Sequence, residues 1–349
     1  MKLTKELERD LDDIADYLNQ SAFGGTSIFV TGATGLIGSL IVRAISRYNQ
    51  KYAQKIQVYA LVRNADKAKE IFGSQVECIE YIFQDVCDEF PKDIQSDYLI
   101  HTASPTTSKF LLENPVEAIE SICIGTMNVL RYARNVQVKG MVNLSSMEAF
   151  GQMRVDEHRL SESDLGYIDL MNVRNCYPES KRLCECLCKS YAQEYGLNVK
   201  TARLAQIFGA GVLPTENRVF AQFARSAICG ENIVLHTTGE SMGNYCYTVD
   251  AVKAILLLLK EGELGETYTV VNESSTMTIR QMAQMVADKF SDGKSQVVLD
   301  IPEDNQYGYA PTTKMRLSSE RLRKLGWKPE VSLVETYRRM IPSLIGEEK

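Results

Sequence analysis

Long apolar runs are missing from this chain of 349 residues. None reaches the roughly 18–20 residues that a membrane-crossing helix needs. The longest candidate, Ala251 to Leu259, is interrupted by Lys253 and stopped by Lys260. The opening MKLTKELERDLDDIADYL is charged throughout, so it lacks the apolar centre of a secretory leader. Its Leu3, Leu7, Leu11, Ile14 and Leu18 fall instead on one face of a surface helix. A basic excess is missing too. The net charge is −6, which excludes a polyanion-binding surface over the whole molecule and makes any phosphate site local. No nucleic-acid or membrane partner is expected. Internal repeats, low-complexity tracts and CxxC pairs are absent. The nine cysteines are odd in number and scattered. They fit a reducing, cytoplasmic setting better than a disulfide framework. Cys184, Cys186 and Cys188 form a CxCxC run with no histidine nearby. Cys184 and Cys188 lie one helical turn apart, so they read as packing, and no metal site is expected.

What the chain does contain is alternation. Ser27–Thr31, Ile56–Val62, Cys78–Phe83, Asp97–His101, Met141–Ser146 and Val199–Ala205 read as buried strands. Leu36–Ser46, Val116–Arg134 and Tyr177–Tyr195 read as helices. Strands separated by helices imply a parallel α/β sheet covered on both faces. Beyond Gly209 the pattern loosens into helices at Val219–Cys229 and Ile279–Phe290 and short strands at Tyr268–Val271 and Val297–Asp300. This half is expected to form a smaller α/β lobe, and the lack of a clean linker implies interleaved segments.

The first strand runs into Gly32-Ala-Thr34-Gly35-Leu36-Ile37-Gly38, which opens a helix. Side chains at such a turn would keep a pyrophosphate from the helix N-terminus. The first two glycines remove that obstacle, and the third lets helix and strand pack closely. The spacing resembles the TGxxGxxG fingerprint of short-chain dehydrogenases, in their extended branch, and the resemblance runs from about Ser27 to Ile341. It implies a Rossmann-type doubly wound parallel sheet with a smaller C-terminal α/β substrate lobe. The corresponding division is a helical extension over 1–24, a dinucleotide-binding domain over 25–210 and a mainly substrate-binding lobe over 211–349. At the end of the second strand, where an acidic residue would bind the ribose of NAD, stand Arg63 and Asn64. A planar cation suits a 2′-phosphate, so NADP(H) is favoured and NAD(H) remains open. Asp85 and Val86 resemble the family's adenine-contacting pair. Thr102, Ala103 and Ser104 follow the fourth strand, and that stretch resembles the UDP-glucuronate decarboxylase branch.

Tyr177-Pro-Glu-Ser-Lys181 is the one place where any of the 17 tyrosines has lysine four residues later. On a helix the two share a face. The ammonium is expected to lower the phenol's pKa and prepare it to exchange a proton with a substrate hydroxyl during hydride transfer. Lys181 would also hold the nicotinamide ribose. Ser145-Ser146-Met147-Glu148-Ala149-Phe150-Gly151 resembles the family's serine/threonine segment and places the catalytic hydroxyl at Ser146. Glu148 stands where nucleotide-sugar dehydratases and UDP-glucuronate decarboxylases carry a glutamate able to act beside a transient ketone. The sequence departs from the family at several positions. Met147 replaces the aspartate of dTDP-glucose 4,6-dehydratases, Asn244 the arginine of the decarboxylases, and Ile122 an asparagine.

Arg203-Leu-Ala-Gln206-Ile-Phe-Gly209 resembles the family's RxxNxxG, with Gln206 near the substrate. Arg218 to Gly239 resembles the stretch that closes over a nucleotide diphosphate, and Leu322 to Pro329 the C-terminal signature, with Trp327 as a packing residue. The candidate substrate contacts are therefore Ser146, Glu148, Gln206, Arg218 and Asn244. The resemblance implies an oxidoreductase of the epimerase/dehydratase type acting on a nucleotide-activated sugar. The alternatives are a net NADPH-dependent reductase of a nucleotide-linked keto-sugar and, against the intact Tyr177, Lys181 and Ser146, a non-catalytic dinucleotide sensor. It also implies a homodimer through the two long helices, which carry surplus apolar residues such as Ile124, Leu183 and Leu187.

Overall fold

The computed structural model describes residues 3–73, 77–91, 93–153, 158–302 and 313–346. Helix α1 (Lys5–Gln20) begins at Thr4, whose hydroxyl accepts the Leu7 N–H at 3.2 Å as an N-cap. There follow β1 (Ser27–Thr31), α2 (Leu36–Lys51), β2 (Gln57–Val62), α3 (Ala65–Phe72), β3 (Ile79–Phe83), β4 (Tyr98–His101), α4 (Ser108–Glu113), α5 (Pro115–Asn135), β5 (Gly140–Ser146), α6 (Cys176–Tyr195) and β6 (Val199–Leu204). The second half adds β7 (Gln206–Phe208), α7 (Val219–Cys229), β8 (Ile233–Leu235), β9 (Met242–Gly243), β10 (Tyr245–Tyr247), α8 (Thr248–Glu261) and β11 (Thr267–Val270). It ends with β12 (Met277–Thr278), α9 (Ile279–Phe290), β13 (Val297–Leu299), α10 (Glu320–Lys324) and α11 (Leu333–Ile345).

Seven strands form one parallel sheet in the order β11-β6-β5-β4-β1-β2-β3. Successive side chains of a strand face opposite sides, and β1 is apolar on both. Ile28 and Val30 join the core under α1, α2 and α8. Phe29 joins the core under α5 and α6. The chain winds outward from β1 in both directions, so the β1–β4 junction is the switch point where the connections diverge. Ligands of such sheets bind at the carboxyl ends of the strands there.

The strand expected at Tyr268–Val271 in the small lobe is β11, at the edge of the main sheet beside β6. Its Tyr268 and Val270 are buried with α8 in the main core. The small lobe has its own core, in which α7, α9 and α11 pack around Phe208, Ile233 and Tyr245. Its strands pair two by two, β7 with β10, β8 with β13 and β9 with β12. Helix α2 runs past the expected Ser46 to Lys51, because Tyr48 and Asn49 are buried. The Asn49 carboxamide there bonds both the N–H and the C=O of Ile56 at 2.8 Å. The apolar face of α1 is buried as expected, and Asp10 is buried along with it. Buried Asp10 accepts a hydrogen bond from Tyr247 and an ion pair from Arg339 of α11 at 3.2 Å.

Candidate active site

The glycine turn sits at the carboxyl end of β1. Gly32 has φ +64°, and a Cβ there would lie 2.7 Å from the Ala103 backbone after β4. At Gly38 a Cβ would lie 2.4 Å from the Gly32 carbonyl oxygen, so helix and turn touch at that point. Thr102 fastens the turn by donating to the carbonyls of Thr31 at 2.7 Å and Gly32 at 3.2 Å. The Ala103 N–H donates to the Thr31 hydroxyl at 3.3 Å. Buried His101 bridges the hydroxyls of Thr31 and Thr126, at 2.7 and 3.1 Å. Burial, reinforced by the Lys181 charge, pushes its pKa down to about 3, so it is a neutral strut.

Two strands away, β5 ends at Ser146, and the first turn of α6 brings Tyr177 and Lys181 under it. The Ser146 hydroxyl lies beside the Tyr177 phenol and favours its ionised form. Lys181 is buried, donates to the Leu144 carbonyl at 2.9 Å and lies 5.6 Å from the centre of the Tyr177 ring. The expected effect of the lysine on the phenol is not what this arrangement gives. Burial first and the Glu148 charge second push Tyr177 up to about 12, against the opposing pull of Ser146 and Arg174. Lys181 lies against the ring face and spends a proton on β5, and burial lowers its own pKa. Burial and the Glu148 charge thus favour the neutral phenol.

Glu148 lies on the short turn Met147–Phe150 that follows β5, with its side chain 42% exposed. It forms an ion pair with Arg174 at 3.1 Å, and that guanidinium lies 5.8 Å from the Tyr177 ring centre. The sequence reading did not single out Arg174. Its one signal is position, three residues before Tyr177 in Arg174-Asn-Cys-Tyr177. A second, buried network supports the other side of β5. Glu185 on α6 grips Arg203 of β6 at 2.6 Å and accepts from the Ser145 hydroxyl at 2.5 Å. Arg203 also donates to the Glu162 carbonyl at 3.0 Å and stacks over Phe150. Serine, tyrosine, lysine and glutamate thus meet at the carboxyl end of the sheet, a geometry suited to proton exchange.

The model of the NAD dependent epimerase/dehydratase family matches residues 28–272. The chain belongs to that family. UDP-glucuronic acid decarboxylase 6 of Arabidopsis thaliana is 28% identical over 309 residues, covering 88% of this chain and 85% of its own. UDP-glucuronic acid decarboxylase 1 of Xenopus tropicalis is 27% identical, covering 90% of this chain and 71% of its own. Among solved structures, the UDP-glucose 4-epimerase of Thermotoga maritima with UDP-glucose superposes with a TM-score of 0.75 at 21% identity, over 91% of this chain and 98% of that one. The UDP-glucose 4-epimerase of Thermus thermophilus complexed with NAD gives 0.72 at 23% identity, over 92% and 99%.

This epimerase/dehydratase family member fits the dinucleotide its family name implies. Gly35 starts α2 with no side chain capping the helix, and a Cβ there would meet only the Gly32 carbonyl oxygen, at 3.3 Å. The helix N-terminus therefore presents its N–H groups to an open approach. Thr34 and Leu36 are half-buried around it, and Ile37 is in the core. At the end of β2, exposed Arg63 pairs with Asp85 at 3.4 Å. The Asn64 carboxamide caps α3, accepting from Lys67 N at 2.9 Å. Asp85 also accepts from Cys87 N at 2.9 Å, and Val86 is buried beneath α5. Ser104 is half-buried beside the turn.

The candidate substrate residues scatter more. Gln206 is half-buried at the start of β7. Arg218, at the head of α7, forks onto Glu216 at 3.0 and 2.7 Å. Asn244 is fully buried, and its carboxamide is spent within the chain. It donates to the Met315 carbonyl at 2.8 Å and accepts from Leu317 N at 3.0 Å and from the Thr276 hydroxyl at 3.2 Å. Cys184 and Cys188 are buried and Cys186 is exposed, as their helical spacing required. Trp327 is buried, donating to the Asp250 carbonyl at 3.0 Å.

Proposed function

We propose that the protein is an NAD(P)-dependent oxidoreductase that acts on a sugar carbon of a nucleotide-activated sugar in an epimerase- or dehydratase-type cycle. The carrying observation is the meeting of Ser146, Tyr177 and Lys181 at the carboxyl end of β5, two strands from the glycine turn. Ser146 orients the reacting oxygen, and Tyr177 exchanges its proton. Lys181 braces the Tyr177 ring and would hold the cofactor ribose. Glu148 acts at the carbon beside the ketone. A bound nicotinamide supplies the hydride acceptor and donor. Gly32 to Gly38, Arg63, Asp85 and Thr102 to Ser104 would hold the dinucleotide. Gln206 and Arg218 would face the nucleotide sugar, with residues 211–349 supplying most of the substrate lobe. The substrate class rests on the names of the relatives, which act on UDP-glucuronic acid and UDP-glucose.

Arg63 supports a second reading, a net NADPH-dependent reductase of a nucleotide-linked keto-sugar. One experiment separates the two. The purified protein is incubated with nucleotide sugars and either cofactor, and products are read by mass spectrometry. Products isomeric with or dehydrated from the substrate, formed without net cofactor use, support the cycle. Steady NADPH consumption supports the reductase. Tyr177→Phe should lower turnover by about 10²–10⁴-fold with cofactor binding kept, and a near wild-type rate would remove Tyr177 from the mechanism.

A homodimer through α5 and α6 completes the reading, since Val116, Ile119, Ile124 and Leu183 stand exposed on that face. The free thiols of all nine cysteines fit a cytoplasmic site, and no described helix is long and apolar enough to cross a membrane. Light scattering of Leu183→Glu against the wild type tests the interface. A wild-type monomer at micromolar concentration would discard it.

A further inference from the structure

We propose that Arg174 is a charge-compensating positioning residue, whose guanidinium holds the Glu148 carboxylate so that Glu148 and the Tyr177 oxygen can both be negative within one catalytic cycle. The proposal rests on the oxidoreductase reading above. In an oxidation step, for which a bound nicotinamide would supply the hydride acceptor, the hydroxyl on the reacting carbon gives its proton to the Tyr177 oxygen. The phenol must therefore begin the step as phenolate. In a dehydratase-type step Glu148 must then take a proton from the neighbouring carbon, and for that it must be ionised. Before the first proton moves, with Glu148 already ionised, the site therefore holds two anions side by side.

The groups around Tyr177 leave one candidate to reconcile them. From its own helix come Lys181, Cys176 and Cys184. From α5 comes Cys123, from α4 Leu111, and from the end of β5 come Ser146 and Glu148. Lys181 is buried and committed to the Leu144 carbonyl at 2.9 Å. Glu148 is the carboxylate that opposes the phenolate, and Arg174 is the cation that favours it. The arginine is well held. Its N–H is capped by the Asn172 side chain at 3.1 Å, and Asn175 donates to the Asp169 carbonyl at 2.8 Å, fixing the turn Val173–Asn175 ahead of α6. Its Nη2 binds Glu148 at 3.1 Å, while Nη1 is buried with no acceptor. The guanidinium is therefore placed by its surroundings, with one arm on the carboxylate and its plane near the phenol ring.

The test follows reduction of bound NAD(P)⁺ in a single turnover across pH, using the holoenzyme with UDP-glucuronic acid, UDP-glucose and the other common nucleotide sugars as probes. A cation within about 4–6 Å shifts a neighbour by ~1–3 pKa units. Arg174→Gln should therefore move the rising limb of the rate up by about one pH unit and cut the neutral-pH rate about tenfold, and Arg174→Lys should recover most of both. In a Glu148→Gln background, where the opposing carboxylate is gone, the limb should start lower, and adding Arg174→Gln should raise it again without carrying it past the Arg174→Gln single variant. A limb that Arg174→Gln leaves unmoved, with a lowered melting temperature as its sole effect, would overturn the role of Arg174 while the oxidoreductase reading stands. Absence of cofactor reduction by every probe in the wild type would overturn both.

Discussion

Two arginine–glutamate pairs flank the end of β5, and they are built differently. Arg203 and Glu185 are 4% and 10% exposed, and their remaining polar atoms reach Ser145 and the Glu162 carbonyl. Arg174 and Glu148 are 26% and 42% exposed, with a single contact between them and one guanidinium arm unpartnered. A buried pair is tolerated when surrounding hydrogen bonds satisfy it, and removing one partner strands a charge. A half-open pair costs little to break and leaves its groups free for chemistry. The first pair therefore fixes where β5 ends, and the second occupies the space that this end creates.

The comparison can be broken at four places, taken from the largest expected effect down. Glu185→Ala should destabilise the fold by about 3–5 kcal/mol, the usual cost of stranding a buried charge. Urea unfolding measures it, and a loss under ~1 kcal/mol would make the two pairs alike. The deepest acid of this kind is Asp10, 1% exposed beside Arg339. Burial outweighs Tyr247 and Arg339 and raises its pKa from 3.8 to about 6. Its folded pKa is raised, so its contribution to stability is full below the unfolded value and is lost as pH climbs through the folded one. Between about pH 4 and pH 7 the stability of the wild type relative to Asp10→Asn should fall, on the order of 2 kcal/mol. A rise across that window would contradict the assignment.

Glu148→Gln should leave stability within about 1 kcal/mol of wild type and reduce turnover at least about tenfold. The reverse pattern, an unchanged rate with a large stability loss, would place Glu148 with the structural pair. The smallest effect belongs to the most open pair, Arg63 and Asp85, 73% and 38% exposed. Arg63→Asp should turn a preference for NADPH into one for NADH, a change of about fivefold for an exposed charge. Cofactor titration of both proteins measures it, and equal wild-type affinities would leave Arg63 facing solvent.

The first half of the fold was legible because each strand is an apolar run bounded by a turn, and both faces of β1 carry that signal. The glycine turn and the Tyr177–Lys181 spacing were legible for the same reason, since local geometry dictates residue type. Strands β7, β8 and β10 span three residues each, too short for any period to register. The place of β11 was hidden because its pairing with β6 depends on long-range register. Arg174 escaped notice because its partner lies 26 residues away across a turn. The pKa of Tyr177 came out opposite in direction because helix spacing gives the face that Lys181 shares, but not the depth at which the pair is buried. Asn244 read as a ligand contact from its motif, whereas its three partners lie 32 to 73 residues away.

The contact between Asp10 and Arg339 spans 329 residues, and the one between Asp10 and Tyr247 spans 237. During synthesis the carboxylate of α1 leaves the ribosome with neither partner, and it waits for 329 residues before the second arrives. Until α11 docks, α1 can bury its leucines against α2 only by burying a charge without its arginine. Helix α11 thus completes the seating of α1, and a nascent chain halted before α11 should stay open to protease at α1 while its central sheet is already protected. Long-range closure of this kind slows folding.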